Sequence, residues 1–340
     1  MKRAELLRPG HMELRDVAQP IPGAGEVVVR IEAALTCGTD IKTYQRGHPK
    51  IPLPAPLGHE FAGVISAVGP GVERFREGDA IACTPTAPCG LCRLCLRGHD
   101  SLCPQAVGRI VLGAFAEFIT VPAHVVQSNM FERPATLTAE RAAVLEPLSC
   151  VVHGADRLQL ERAERVIIVG DGPIALLFGQ VAQLRGAGEV MLFGKHGIRL
   201  RAAEAVGLTA VDTGDADIRA VTQDLTDGVG ADVVVECVGR PELWEAAFDC
   251  VAPAGELLAF GGCAAGTRAS FDTYRLHYEE VDVKAAFHYG RADVRRAYDL
   301  LLDGDVNAEV LITHHEPLER LQDALDRVIA REAIKVAVHP

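Results

Sequence analysis

The chain lacks the features that mark membrane proteins, secreted proteins and nucleic-acid-binding proteins. It contains no apolar run of about 20 residues, the length that a membrane-spanning helix requires. Its first residues, Met1-Lys2-Arg3-Ala4-Glu5, are charged at once and form no apolar signal core. Lysine and arginine form no cluster, and the net charge is −12. We therefore expect neither a nucleic acid nor a membrane as partner.

Aromatic residues are scarce, at 5% of the chain, which leaves few of them to line a large hydrophobic pocket. Hydrophobic residues nevertheless make up 49% of the 340 residues, enough to fill the cores of two domains. Ten cysteines in a chain without a signal core are typical of a reducing compartment, where thiols remain available to metals. We expect a cytoplasmic protein.

The spacing of four cysteines is the most informative feature that is present. Cys89, Cys92, Cys95 and Cys103 form the pattern C-x2-C-x2-C-x7-C. Thiolates at this spacing can close a tetrahedral four-sulfur zinc site. The alternative is four unrelated buried cysteines, but such close spacing favours a shared metal. A closed site has no open coordination position, so we predict a structural zinc here and catalysis elsewhere.

The pattern of strands and helices divides the chain near residue 150. The first 130 residues are rich in glycine, proline and short β-type runs, which is typical of a small irregular β-barrel-like domain. Strands then alternate with helices, as in a doubly wound parallel sheet. The predicted strands are 165–170, 189–193, 231–236 and 256–260, and the predicted helices are 174–184, 199–206 and 243–250. The periodicity of residues 292–340, with helices at 292–302 and 318–329 and a strand at 334–338, leaves open whether they extend this sheet or return to the first domain.

A glycine-rich turn follows the first strand of the alternating region. Gly170-Asp171-Gly172-Pro173-Ile174-Ala175 matches the G-x-G-x-x-G/A pattern of dinucleotide-binding sites. In that pattern Gly170 makes the tight turn and Gly172 lets backbone amides approach the pyrophosphate, and Pro173 and Ile174 complete the predicted site. A glycine turn without a ligand is the alternative, which the flanking strand and helix disfavour.

The strand 189–193 ends without the Asp or Glu that usually holds the ribose hydroxyls of NAD. The residues that follow it are Gly194, Lys195, His196, Arg199 and Arg201. A missing acid and nearby cations favour a 2′-phosphate, so we predict NADP in preference to NAD. The alternative is a solvated basic helix start that makes no contact with the ribose.

Three further segments supply donors for a second metal site. Cys37 follows a strand-like run that ends at Ala34, His59 and Glu60 lie about twenty residues later, and Glu146 precedes the nucleotide region. Each is weak evidence alone, since a lone cysteine or histidine is more often a core or surface residue. Together they offer sulfur, nitrogen and oxygen ligands suited to zinc.

With these motifs in order, the chain resembles the zinc-dependent medium-chain dehydrogenase/reductase family, close to the sorbitol (polyol) and threonine dehydrogenases. The resemblance extends over essentially the whole chain. The matching segments are Cys37-Gly38-Thr39-Asp40, 58–63, the four-cysteine lobe, 146–149, 170–175, 230–239 and 260–262.

The resemblance implies a GroES-like β-barrel catalytic domain at 1–150 with a C-terminal return at 289–340, and a Rossmann coenzyme domain at 151–288. It implies that Cys37, His59, Glu60 and Glu146 surround a catalytic zinc, and that Thr39 binds the substrate hydroxyl and starts a proton relay. It extends the coenzyme site to Val238, Gly239 and Gly261. It also implies a homodimer or homotetramer.

Lys42 departs from the family pattern, in which a histidine of the proton relay often stands at this position. A neutral lysine could pass a proton only if its pKa were depressed. As an ammonium it could instead contact a ribose or phosphate of the coenzyme, and a solvated lysine is the third possibility.

These expectations point to a dehydrogenase that oxidises a secondary hydroxyl of a polyol, cyclitol or amino sugar with zinc and NAD(P). Activity on L-threonine is one alternative. A non-catalytic NADP-binding protein, in which only the cysteine lobe holds metal, is another. A reductase of activated double bonds is a third, which the intact set of Cys37, His59 and Glu146 disfavours.

Overall fold

The computed structural model describes residues 1–48 and 51–340. Its two compact units are formed by residues 1–149, 289–304 and 311–340, and by residues 150–288 and 305–310. Among the described residues no helix is both long and apolar enough to cross a membrane.

The strands are β1 Lys2–Arg8, β2 His11–Asp16, β3 Val27–Leu35, β4 Ala55–Pro56, β5 Glu60–Val68, β6 Ala80–Cys83, β7 Phe118–Val121, β8 Met130–Glu132, β9 Arg165–Val169, β10 Glu189–Gly194, β11 Thr209–Asp212, β12 Ala231–Glu236, β13 Val251–Ala259, β14 Asp282–Ala285, β15 Ile312–Pro317 and β16 Lys335–His339. The α-helices are α1 Gly38–Arg46, α2 Arg93–Leu96, α3 Pro104–Gly108, α4 Ala123–Ser128, α5 Ala139–Ala143, α6 Leu145–Ala155, α7 Pro173–Leu184, α8 Gly197–Ala205, α9 Ile218–Leu225, α10 Pro241–Asp249, α11 Thr273–Tyr278, α12 Arg291–Asp303 and α13 Leu321–Ile329.

The first unit is built on a seven-stranded sheet in the order β15-β16-β3-β5-β6-β8, with β7 also paired to β3. β3 reads Val-Val-Val-Arg-Ile-Glu-Ala-Ala-Leu, and all but two of its side chains are buried. Such a run belongs at the centre of a sheet that is covered on both faces. Phe61, Ile65, Phe115 and Val336 belong to the core around it. The C-terminal strand β16 thus lies beside β3, which answers the question that periodicity left open.

The second unit contains a six-stranded parallel sheet in the order β11-β10-β9-β12-β13-β14. This is the strand order of a Rossmann fold. In such a fold the strand order reverses at a switch point, which here lies between β9 and β12. Their carboxyl ends, at Val169 and Glu236, therefore lie side by side where a dinucleotide binds in such folds.

In the second unit the sequence patterns predicted β9, β10, β12, β13, α7, α8 and α10, and they missed β11, α9, α11 and β14. Both missed strands are short and largely solvent-exposed, so they lack the apolar run that marks β9 and β12. The strand predicted at 256–260 begins five residues earlier, at Val251. It includes Pro253 and the positive-φ residue Ala254, which disrupt the β pattern of the sequence.

Candidate active site and metal centres

The four cysteines of the lobe lie together at the geometry of a metal site. The Sγ–Sγ distances are 3.5 Å for Cys92–Cys95, 3.6 Å for Cys89–Cys103 and 4.0 Å for Cys92–Cys103. Tetrahedral zinc with Zn–S bonds of about 2.3 Å separates its sulfurs by roughly 3.8 Å. A disulfide would need about 2.05 Å, and all four thiols are free. The cluster therefore has the donors and spacing that a structural zinc requires.

Backbone N–H groups stabilise the thiolate form of Cys103. Burial raises the pKa of Cys103, but N–H donors of Cys89, Ala106 and Gln105 outweigh it and lower the pKa to about 6. A thiolate is the form that binds zinc.

The second cluster brings together Cys37, His59 and Glu60, whose ligand atoms all lie within 4.8 Å of one another. Cys37 is the N-cap of α1, and its Sγ accepts a hydrogen bond from the Thr39 N–H at 3.5 Å. Glu60 opens β5, and His59 precedes it. Because β3 pairs with β5 in the register Leu35–Glu60, the two segments are held side by side.

Asp40 fixes this arrangement, and the sequence interpretation gave it no role. Its carboxylate is buried and accepts hydrogen bonds from the N–H groups of Cys37 and Gly58, both at 3.2 Å. The same carboxylate lies 3.5 Å from His59 Nδ1. Burial lowers the pKa of His59, but Asp40 and Cys37 outweigh it and raise the pKa well above its usual value. A carboxylate behind a ligand histidine orients its ring.

Lys335 is a second residue that the sequence interpretation missed. It projects from β16, is fully buried, and donates to Glu60 Oε2 at 2.5 Å and to the Thr36 carbonyl at 3.0 Å. Burial lowers the pKa of Lys335, but Glu60 and Cys37 outweigh it and raise the pKa overall, so the side chain stays charged. A lone lysine inside the apolar run Ile334–Val338 was the signal that could have identified it.

The residues present suit a zinc ion. Glu60 Oε1 is buried and has no hydrogen-bond partner among residues 1–48 and 51–340, so one polar atom of the cluster remains available to a metal ion. One thiol, one imidazole and one carboxylate form a donor set that zinc accepts.

The other predicted residues of this site lie around the cluster. Thr39 is exposed in the first turn of α1, and Lys42 is exposed one turn later. Glu146 lies in the first turn of α6, outside the group formed by Cys37, His59 and Glu60. It nevertheless contributes to the electrostatic field that raises the pKa of Lys335.

The glycine-rich turn has the backbone that a dinucleotide site needs. Gly170 has a φ of +123°, which only glycine adopts readily, and a Cβ there would lie 3.2 Å from Val238 Cγ2. Gly172 is the N-cap of α7, Pro173 is in its first turn and Ile174 follows. The open N-terminal turn of a twelve-residue helix is suited to bind a pyrophosphate.

Asp171 supplies the carboxylate that the end of β10 lacks. Its Oδ2 accepts hydrogen bonds from the N–H groups of Lys195 at 3.0 Å and His196 at 3.1 Å, and it lies 2.5 Å from His196 Nδ1. Its Oδ1 accepts a hydrogen bond from Arg199 Nη1 at 3.2 Å. Gly194 leaves room for this contact, since a Cβ there would lie 2.6 Å from Asp171 Cβ. Burial raises the pKa of Asp171, but the Lys195 N–H, His196 and Arg199 outweigh it and lower the pKa overall.

A buried glutamate organises the opposite side of the turn. Glu236 ends β12, and its Oε1 accepts hydrogen bonds from the N–H groups of Val238 and Gly239, both at 2.9 Å. Gly261 packs so closely that a Cβ would lie 2.2 Å from the Gly239 nitrogen. Val238 remains exposed enough to contact a ligand, at 40% of its full surface.

Comparisons with known proteins agree with this architecture. The model of the alcohol dehydrogenase GroES-like domain matches residues 23–129, and that of the zinc-binding dehydrogenase domain matches residues 173–303. They confirm the predicted pairing of a GroES-like domain with a Rossmann coenzyme domain.

Individual relatives cover almost the whole chain. A sorbitol dehydrogenase of Halalkalibacterium halodurans is 33% identical over 97% of this chain and 96% of its own. An L-threonine 3-dehydrogenase of Paraburkholderia phytofirmans is 30% identical over 98% and 97%. The crystal structure of a zinc-binding dehydrogenase from Sinorhizobium meliloti, bound to NADP, superposes with a TM-score of 0.88 at 32% identity, covering 100% of this chain and 99% of that one. The chain therefore belongs to the zinc-dependent medium-chain dehydrogenase/reductase family, in the branch of the sorbitol and threonine dehydrogenases, and is an alcohol dehydrogenase that uses zinc and a nicotinamide coenzyme.

Proposed function

We propose that this enzyme oxidises a secondary hydroxyl of a polyol, cyclitol or amino sugar to a ketone, with hydride transfer to NAD(P). The observation that carries the proposal is the cluster of Cys37, His59 and Glu60 with its unpartnered buried carboxylate oxygen. The similarity to a sorbitol dehydrogenase supports this class of substrate.

In this proposal Cys37, His59, Glu60 and Glu146 hold the catalytic zinc. A bound zinc ion would act as a Lewis acid and lower the pKa of a substrate hydroxyl. Asp40 orients His59, and Lys335 holds one oxygen of Glu60 so that the other faces the cluster. Thr39 accepts a hydrogen bond from the substrate hydroxyl and passes the released proton on towards solvent from its exposed position, and Lys42 lies on the same exposed surface of α1. Cys89, Cys92, Cys95 and Cys103 hold the structural zinc.

We propose that residues 1–150 and 289–340 form the catalytic domain and that residues 151–288 bind the coenzyme. The coenzyme contacts come from Gly170, Gly172, Pro173, Ile174, Gly194, Lys195, His196, Arg199, Val238, Gly239 and Gly261. We also propose a homodimer or homotetramer, which light scattering of the purified protein tests.

We propose NADP as the coenzyme, and the argument depends on which cation after β10 is accessible to a 2′-phosphate. Arg199 forms an ion pair with Asp171 at 3.2 Å, and His196 Nδ1 lies 2.5 Å from the same carboxylate, so Asp171 already engages both side chains. Lys195 pairs with Asp215 at 3.4 Å, but this ion pair is exposed, with 53% of the Lys195 side chain accessible, so water screens it and a 2′-phosphate can compete for the ammonium group. The relative with bound NADP supports this choice. The coenzyme preference is tested by adding NADH or NADPH to the protein and following its intrinsic fluorescence. A lower dissociation constant for NADH than for NADPH refutes the proposal.

An activity screen tests the reaction. Zinc-replete protein is assayed with sugar alcohols, cyclitols, amino alcohols and L-threonine, each with NAD and NADP. We expect turnover with a polyol, cyclitol or amino sugar, loss of turnover in Cys37→Ser, and retained turnover in the control Cys83→Ala, a buried cysteine of β6 outside the clusters. Full activity of Cys37→Ser contradicts the assigned site.

L-Threonine oxidation is the second candidate, favoured by the similarity to an L-threonine 3-dehydrogenase. The same screen separates the two, because turnover confined to L-threonine replaces the first proposal with the second.

A further inference from the structure

A third cluster of metal-binding side chains shares no residue with either proposed zinc site. Glu140 of α5, His315 of β15 and His339 of β16 place their ligand atoms within 4.8 Å of one another. Glu140 Oε1 is 3.3 Å from His315 Nδ1 and 3.4 Å from His339 Nε2. All three residues belong to the first unit.

The fold brings the two histidines to one face. β15 and β16 are parallel, and His315 pairs with Ala337 in the register. His339, two residues beyond Ala337, therefore points to the same face as His315. Their rings lie 5.8 Å apart with an angle of 15° between the planes.

The distances suit a shared cation better than direct hydrogen bonds. A charge-assisted N–H···O bond is about 2.7–2.9 Å long, whereas the two contacts of Glu140 measure 3.3 and 3.4 Å. Tetrahedral zinc with bonds of about 2.0–2.2 Å holds its nitrogen and oxygen ligands roughly 3.3–3.5 Å apart.

The tautomer of His339 strengthens the argument. His339 Nδ1 lies 2.9 Å from the Glu32 carbonyl oxygen, which can only accept, so Nδ1 carries the proton. In the neutral ring Nε2 then presents its lone pair to a carboxylate oxygen, and either a shared cation or a second proton on the ring relieves this repulsion. A backbone carbonyl that fixes the far nitrogen in this way is a common partner of ligand histidines.

We propose that Glu140, His315 and His339 form a third metal site that binds Zn²⁺ through two imidazoles and one carboxylate. Two imidazoles select zinc and its late-transition neighbours over Mg²⁺ or Ca²⁺. The side chains of His315, His339 and Glu140 are 57%, 37% and 29% exposed, so water completes the coordination and the ion exchanges with solvent. Bound zinc joins the two C-terminal strands to α5.

Zinc titration monitored by NMR of ¹⁵N-histidine-labelled protein tests the site. Protein with its tight sites filled is titrated with ZnCl₂. We expect the ring signals of His315 and His339 to shift together and to saturate at about one added equivalent per chain. His315→Gln and His339→Gln should each abolish this uptake. His314→Gln is the matched control, because its neighbouring ring on β15 points to the opposite face.

Zinc binding at this third site can be tested independently of the proposed reaction. His315→Gln should keep the turnover of the wild type, since none of the three residues belongs to the catalytic cluster. Equal zinc uptake by the wild type and the His315→Gln/His339→Gln double variant would overturn the proposal, as would ring signals that respond to pH but not to zinc.

Discussion

The buried pair of Lys335 and Glu60 allows a quantitative test of how the catalytic cluster is held. Both side chains are almost fully buried, and Lys335 joins β16 to the first residue of β5. Replacing Lys335 by Met keeps most of its volume but leaves the Glu60 carboxylate buried without its counter-charge. Breaking a buried pair in this way costs about 3–5 kcal/mol.

Hydrogen exchange of the β16 amides measures this loss, because their protection depends on the local opening that separates β16 from β3. At about 1.4 kcal/mol per factor of ten, the expected cost corresponds to exchange that is roughly a hundredfold to several-thousandfold faster in Lys335→Met. We expect a smaller effect in zinc-loaded protein, since the cation also compensates Glu60.

Two control variants test whether the lost protection comes from the uncompensated charge of Glu60. Lys335→Met/Glu60→Gln removes both charges and should recover most of the protection, because a neutral pair leaves no buried charge. Lys2→Met removes an exposed partner of Glu319 in the same unit and should leave the β16 amides unchanged. Exchange in Lys335→Met within about tenfold of the wild type refutes the reasoning, because it would mean that less than about 1.4 kcal/mol was lost.

Further predictions concern the coenzyme unit and the cysteine lobe. The pKa of Asp171 is lowered in the folded chain, so its carboxylate stabilises the fold above the ordinary Asp pKa of about 3.9 and loses this effect as pH falls towards the lower folded value. Asp171→Asn should remove that part of the acid dependence in urea titrations, and an unchanged pH profile contradicts it. Gly239→Ala should weaken binding of both coenzymes at least about tenfold, since its φ is +84° and the new Cβ would lie 2.5 Å from the Gly262 carbonyl oxygen; wild-type dissociation constants would exclude this. Cys103→Ser should release about one zinc ion per chain and lower the melting temperature, and unchanged zinc content would show that the lobe binds no metal.

Regular patterns in the sequence predicted the parts of the molecule that rest on regular structure. The apolar runs at β9 and β12 identified the sheet, and the glycine pattern after β9 identified the coenzyme turn. Cysteine spacing likewise predicted a cluster that the structure brings together, because all four ligands lie in one short segment.

Contacts between residues far apart in the sequence could not be predicted from these local patterns. The missing acid at the end of β10 was interpreted as a sign of NADP, yet Asp171, in the glycine-rich turn after β9, supplies a carboxylate there. Lys335 and Glu60 are separated by 275 positions, and they meet because β3 pairs with β16 on one side and with β5 on the other. A local pattern cannot reveal a partner that tertiary structure supplies.

Three buried carboxylates show what the active-site loops share. Asp40, Asp171 and Glu236 are each at most 7% exposed, and each accepts hydrogen bonds from two backbone N–H groups of neighbouring loops, which for Asp40 are two separate segments at Cys37 and Gly58. These loops carry the predicted ligands of the zinc and of the coenzyme. Hydrogen bonds from N–H to a buried carboxylate are among the stronger ones in proteins, so the loops are held in place by the chain itself. Binding then needs little ordering of the backbone, which is how a preorganised site raises affinity.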